Sequence, residues 1–244
     1  MFYKNKDMTI GINFINRYKN KNIIILPGWG EVNSTFYNII NYFKDYNIYL
    51  ISYPSFNDTP LPNKDLTIYD YANIVFEFIN KKSIKNIYII AHSFGGRIAS
   101  IILSKYNLNI KKLVLIDTAG LKNRSIKHKV KTLIYKIRIK LSKNKNKIFN
   151  KYASSDYKVL DKKLSNTFKN IVNEDLRKYY KRINIDTLII WGERDAITPL
   201  KDGKELNKLI KKSALITFKY GTHFTYIEYA YNINIIIDSY FSAL

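Results

Sequence analysis

The sequence predicts an α/β protein: a doubly wound, mostly parallel sheet with helices on both faces and an inserted helical cap. Short β-branched apolar runs recur from Asn22 to Phe218, bounded by breakers, as in strands buried on both faces. Most are separated by stretches with apolar residues at helical spacing, the pattern of parallel strands joined by crossover helices. Between Leu121 and Arg182 the strand pattern stops and a basic helical pattern takes its place.

Taken in order, Met8 to Ile15 reads as a short edge strand, and Asn22 to Leu26 as a buried strand ending in the breaker-rich Pro27-Gly28-Trp29-Gly30. Ser34 to Phe43 reads as a helix and Asn47 to Ser52 as a strand. Three prolines make Tyr53 to Pro62 a loop. Thr67 to Lys82 is amphipathic, with Ile68, Tyr71, Ala72, Val75, Phe78 and Ile79 on one side. Ile87 to Ile90 is a strand, Arg97 to Tyr106 a helix, and Lys112 to Asp117 another strand. In the basic segment, Ile126, Val130, Leu133, Ile134, Ile137 and Leu141 sit at helical spacing, and Tyr157 to Tyr180 is mostly helical, in one piece or two. Strands return at Asp186–Trp191 and Ala214–Phe218. Helices are expected over Pro199–Ile210, with Pro near the first turn, and over Phe224–Phe241.

The chain has 244 residues, enough for a full core. It has no apolar run near the roughly 18 residues a membrane helix needs. The N-terminus lacks the apolar core of a signal peptide, so a cytoplasmic location is expected. Absence of Cys excludes disulfides, thiolate metal sites and cysteine nucleophiles. Three histidines argue against a His-based metal cage, and neither metal nor cofactor is expected. The net charge is +22, and residues 121–182 hold 20 Lys and Arg against four acids. Coding bias does not sort charge by region. Residues 121–182 therefore read as a separate cap inserted after the sixth sheet strand, with 1–120 and 183–244 as the core. The basic cap has three readings: a solvated face, an attractor of anionic substrates or an acidic carrier, and a contact for anionic membranes. No nucleic-acid partner is expected, because no recognition fold is evident.

Ala91-His92-Ser93-Phe94-Gly95 joins a strand to a helix with serine at the tip. A turn that tight needs small residues two before and two after the serine, and Ala91 and Gly95 supply them. The bland reading is a helix N-cap. A nucleophilic serine needs a base and an acid that orients it. His223 follows the last strand in Gly221-Thr222-His223-Phe224, and Asp195 follows the penultimate strand in Trp191-Gly192-Glu193-Arg194-Asp195. Ligands of open α/β sheets bind beyond the carboxyl ends of the strands, where Gly28, Ser93, Asp195 and His223 all fall. Asp117, also at a strand end, rivals Asp195, although capping of nearby backbone is its simpler role. His92 reads as packing behind the serine, His128 as solvated, and Glu228 and Arg97 as solvated or structural.

These motifs, in this order, resemble the α/β-hydrolases with a helical cap across nearly the whole chain. Leu26-Pro27-Gly28-Trp29-Gly30 is similar to the oxyanion loop, with Pro27 where His is usual, and Ala91 stands where the elbow usually has Gly. The resemblance implies Ser93 as nucleophile, His223 as general base and then acid, and Asp195 as the orienting carboxylate. It implies an oxyanion hole from the backbone N–H groups of Trp29 and Phe94, with Gly28, Gly30 and Gly95 supporting those loops. Serine at the elbow argues against the dehalogenase and epoxide-hydrolase branches, which carry Asp there. The implied activity is cleavage of an ester, thioester or related acyl bond through an acyl-enzyme. The implied substrate is a small acyl compound, with anionic and carrier-linked forms among the options. Two alternatives stand beside it: hydrolysis of carbon–carbon bonds in vinylogous diketones, and a non-catalytic binding protein.

Overall fold

The computed structural model describes residues 1–122 and 164–243. The expected helix over Ile126–Leu141, His128 and the start of the 157–180 stretch lie outside the described residues. The described chain builds one eight-stranded sheet in the order β1-β2-β4-β3-β5-β6-β7-β8. The strands are β1 (Phe2–Lys4), β2 (Thr9–Ile15), β3 (Asn22–Leu26), β4 (Asn47–Ser52), β5 (Ile87–His92), β6 (Ile110–Ile116), β7 (Thr187–Gly192) and β8 (Ser213–Phe218). From β4 to β8 every pairing is parallel; β1 and β2 join antiparallel at one edge.

The helices are α1 (Tyr37–Tyr42), α2 (Ile68–Lys81), α3 (Phe94–Lys105), α4 (Ser165–Asn173), α5 (Arg177–Tyr180), α6 (Leu200–Leu209), α7 (Thr225–Glu228) and α8 (Ala230–Ser242). They cover both faces, giving two cores. One packs α2, α3, α5 and α6 through residues such as Ile74, Phe78, Ile98, Ile102, Tyr180 and Leu206. The other packs α1 and α8 through Ile39, Ile40, Ile233, Ile237 and Phe241. Alternate residues of one strand feed opposite cores: Ile24 and Leu26 go to the first, Ile23 and Ile25 to the second. That is why the β3 run is apolar throughout rather than alternating.

Several boundaries differ from the sequence reading, among them the start of α3, which is Phe94 rather than Arg97. β2 is not the edge strand: β1 caps it, and β2 pairs with both β1 and β4. The helix expected at Ser34–Phe43 is a 3₁₀ turn (Asn33–Phe36) followed by α1. Apolar spacing cannot distinguish the two when only one or two turns are present. The last helix breaks at Tyr229 (φ −119, ψ 34) into α7 and α8. Pro199 is the N-cap of α6 rather than part of its first turn. The α2 start is a capping box: the Thr67 side chain accepts from the Asp70 N–H while Asp70 accepts from the Thr67 N–H at 2.7 Å.

The elbow depends on β3 lying against α3. A Cβ added to Gly95 would stand 1.9 Å from the carbonyl oxygen of Leu26. Backbone cannot yield there without moving the strand that leads into Gly28. Gly95→Ala is expected to destabilise the protein by about 3 kcal/mol or more, at the upper end of overpacking costs. Chemical denaturation measures this, and an unchanged midpoint would contradict the close approach.

Candidate active site

Ser93 links β5 to α3 with φ 45 and ψ −109, a conformation a non-glycine residue adopts only when its surroundings impose it. Its side chain makes no cap bond to α3. The hydroxyl instead lies 2.9 Å from His223 Nε2. The N-cap alternative is thus set aside by where the oxygen points.

His223 Nδ1 lies 2.8 Å from Asp195 Oδ2, so the Nδ1 proton faces the carboxylate and leaves Nε2 free to accept from Ser93. Asp195 is held from several sides. Its Oδ1 accepts the N–H groups of Ile197 at 2.7 Å and Thr198 at 2.8 Å, and Thr198 Oγ1 is 2.5 Å from Oδ2. Burial pushes the Asp195 carboxyl up, but the bonds from His223 and Thr198 outweigh it and hold the acid below its ordinary range. A relay of hydroxyl, imidazole and carboxylate can draw a proton off Ser93 and stabilise the resulting imidazolium.

Asp117 does not join this relay. Its Oδ1 accepts the Gly192 N–H at 2.8 Å and its Oδ2 the Thr225 N–H at 3.3 Å. It ties the ends of β6 and β7 to the start of α7, and burial pushes its carboxyl up to about 6. Arg97 is buried, and its Nη1 donates to the carbonyls of Ile171 at 2.9 Å and Glu174 at 3.2 Å. It rivets the end of α4 onto the elbow helix. Glu228 accepts the Thr222 N–H at 2.8 Å and so braces the loop before His223.

Phe94 is the first residue of α3, so its N–H has no intrahelical acceptor. Among the described residues neither this N–H nor that of Trp29 bonds to another backbone carbonyl. Gly30 takes φ 75, which the turn after Trp29 requires. Two clefts meet at Ser93. One, of about 200 Å³, runs beneath α4 and is lined by Trp29, Phe94, Phe168, Ile171, Val172 and Ile197. The other, of about 260 Å³, opens past Gly30, Val32, Thr35, His223 and Phe224.

Sequence patterns match the description "alpha/beta hydrolase fold" over residues 21–164 and "TAP-like protein" over 166–243. The first match spans more than half of the chain. The chain belongs to the alpha/beta hydrolase fold family. This hydrolase is 27% identical over 221 residues to putative esterase/lipase 2 of Mycoplasma genitalium, covering 82% of this chain and 81% of that one. It is 28% identical over 207 residues to the pimeloyl-[acyl-carrier protein] methyl ester esterase of Wigglesworthia glossinidia brevipalpis, covering 74% and 77%. Its fold is like that of an esterase from Exiguobacterium antarcticum: TM-score 0.77, 20% identity, 97% and 96% of the two chains.

Among the described residues no cluster of His, Asp and Glu could hold a metal ion, and no helix is long and apolar enough to cross a membrane. Two residues that contact this site escaped the sequence reading. Thr198 sits three residues after Asp195, a spacing that allows local side-chain bonds. Glu31 is an acid placed directly after the Gly28–Gly30 loop.

Proposed function

We propose that this hydrolase cleaves esters, and related acyl bonds, through an acyl-enzyme on Ser93. His223 takes the Ser93 proton as the oxygen attacks the acyl carbon, and Asp195 stabilises the imidazolium. The tetrahedral oxyanion is held by the N–H groups of Trp29 and Phe94. Collapse expels the alcohol with the proton returned by His223. Water activated by His223 then releases the acid. The cleft beneath α4, walled by Trp29, Phe94 and Phe168 and with Arg97 and Asp202 also in its lining, takes the acyl chain, and the more open cleft past Val32 and Thr35 lets the leaving group depart. The observation that carries this reading is the Ser93–His223–Asp195 chain of 2.9 and 2.8 Å contacts. The esterase names of the relatives favour ester cleavage over the carbon–carbon and non-catalytic alternatives.

The test is a panel of p-nitrophenyl esters of increasing acyl length, with neutral and ω-carboxylate members, alongside labelling by a fluorophosphonate. Turnover of at least one ester and stoichiometric labelling at Ser93 are expected. A folded protein that neither turns over any ester nor takes the label would refute the reading.

A further inference from the structure

Glu31 and His92 are buried ionisable groups with no part in the proposed reaction. The Glu31 side chain is 7% exposed and that of His92 1%. Glu31 Oε1 lies 2.6 Å from His92 Nδ1, and Oε2 accepts the Gly28 N–H at 2.5 Å. The Tyr226 hydroxyl donates to Oε1 at 3.2 Å. On the other side of the ring, His92 Nε2 lies 2.7 Å from the carbonyl oxygen of His223. A carbonyl only accepts, so Nε2 carries a proton. In a neutral ring Nδ1 would then hold a lone pair against a carboxylate oxygen at 2.6 Å, too close for anything to stand between them. The 2.6 Å Nδ1···Oε1 separation is short, as in a charge-assisted contact between an imidazolium and a carboxylate.

The pair touches three of the four strand ends that the proposed reaction uses, those of β3, β5 and β8. Glu31 holds the N–H just before Trp29, His92 directly precedes Ser93, and Nε2 grips the backbone of His223 itself. Pro27 has no side chain able to bond within the loop, so anchoring falls to Glu31 from further along. The fit is close: a Cβ on Gly28 would stand 2.9 Å from the Glu31 carboxyl carbon and 3.0 Å from His92 Nδ1.

We propose that Glu31 and His92 form a buried carboxylate–imidazolium clamp whose work is positioning: it sets the Trp29 amide relative to Ser93 and His223. This deepens the proposed esterase function and rests on it. The groups facing His92 are Glu31, Asp117 at the end of β6, Tyr226 of α7, and the His223 and Phe224 rings at 5.0 and 5.8 Å. Burial disfavours the imidazolium, yet the Glu31 carboxylate, then Asp117 and the His223 carbonyl, raise the His92 pKa. Burial also disfavours the Glu31 anion, but His92, the Gly28 N–H and Tyr226 hold its pKa below the ordinary value. Clamping is therefore lost as pH rises through the raised His92 value, and at the acid end as pH falls through the lowered Glu31 value.

Glu31→Gln keeps an acceptor for Gly28 and removes the charge. In the full chain it is expected to lower kcat about 10-fold or more, since small misplacements of a donor are costly. KM should stay within about twofold, because ground-state contacts remain. The alkaline limb of the rate profile should move to lower pH. Wild-type kcat with an unmoved alkaline limb would overturn the proposal. Nitrogen-15 NMR of the histidine rings in the wild-type protein gives a reading that needs neither turnover nor a folded variant. Both His92 nitrogens should be protonated at neutral pH; a neutral His92 ring there overturns the clamp even if esters are hydrolysed. A protonated ring in a protein without esterase activity would instead refute only the reaction it serves.

Discussion

Ser93→Ala is expected to lower kcat by roughly 10⁴- to 10⁶-fold on every ester the wild-type protein hydrolyses. Alanine removes the attacking oxygen and nothing else of size. It leaves the clefts, the Trp29 and Phe94 N–H groups and the His223–Asp195 pair in place, so KM should change little. Fluorophosphonate labelling should vanish. Folding should be affected little, because among the described residues the lost hydroxyl makes one hydrogen bond, at 2.9 Å to His223. The strained φ of 45 is imposed by β5 and α3 on whichever residue stands there. Turnover within tenfold of wild type in a purified variant would remove Ser93 from the reaction.

Asp195→Asn and Asp117→Asn are expected to separate two acids that both end a strand. Asp195→Asn should cost about 10⁴-fold in kcat, because an amide can present its NH₂ to Nδ1 and favour the wrong His223 tautomer. Asp117→Asn should stay within about tenfold, since the Asp117 carboxylate accepts the N–H groups of Gly192 and Thr225 and has no bond to Ser93, His223 or Asp195 among the described residues. Its signature is in stability. Burial raises the folded-state pKa of Asp117 from an ordinary 3.8 to about 6, so the wild-type protein loses stability as pH rises through that interval. The Asn variant carries no such charge. Its stability relative to wild type should therefore improve from pH 4 to pH 7, as read by denaturant melts across that range. Equal loss of kcat in the two variants would sink the assignment of Asp195.

The β3, β4, β5 and β7 runs were legible because two-sided burial leaves no room for polar alternation, and only breakers can end them. Elements buried on one side or lasting a single turn were not. The β1–β2 edge is legible only as weak patterning, since an edge strand needs little apolar surface. The division of 33–42 into a 3₁₀ turn and α1, and the break at Tyr229, follow from packing against the second core rather than from residue spacing. Within the site, Ser93, Asp195 and His223 could be picked out because each sits in a short run of turn residues just after a strand. Arg97 could not be resolved as solvated or structural: charge on an amphipathic helix looks the same whether it meets water or the carbonyls of Ile171 and Glu174.

By itself, the sequence determined the alternation of strand and helix, the parallel sheet, the lack of cysteine chemistry and the segregation of basic charge into residues 121–182. These are local or summed properties, set by composition and period. Only the tertiary structure decided which acid faces His223, which groups hold Asp195, and that Glu31 reaches back to the Gly28 amide while pairing with His92. Those contacts join residues up to 61 positions apart, as between Glu31 and His92. Each depends on side-chain direction at a strand end, where a rotation of one residue changes the partner. No spacing rule in one dimension carries that information, because it is created when the carboxyl ends of β3, β5, β7 and β8 are brought to one edge of the sheet.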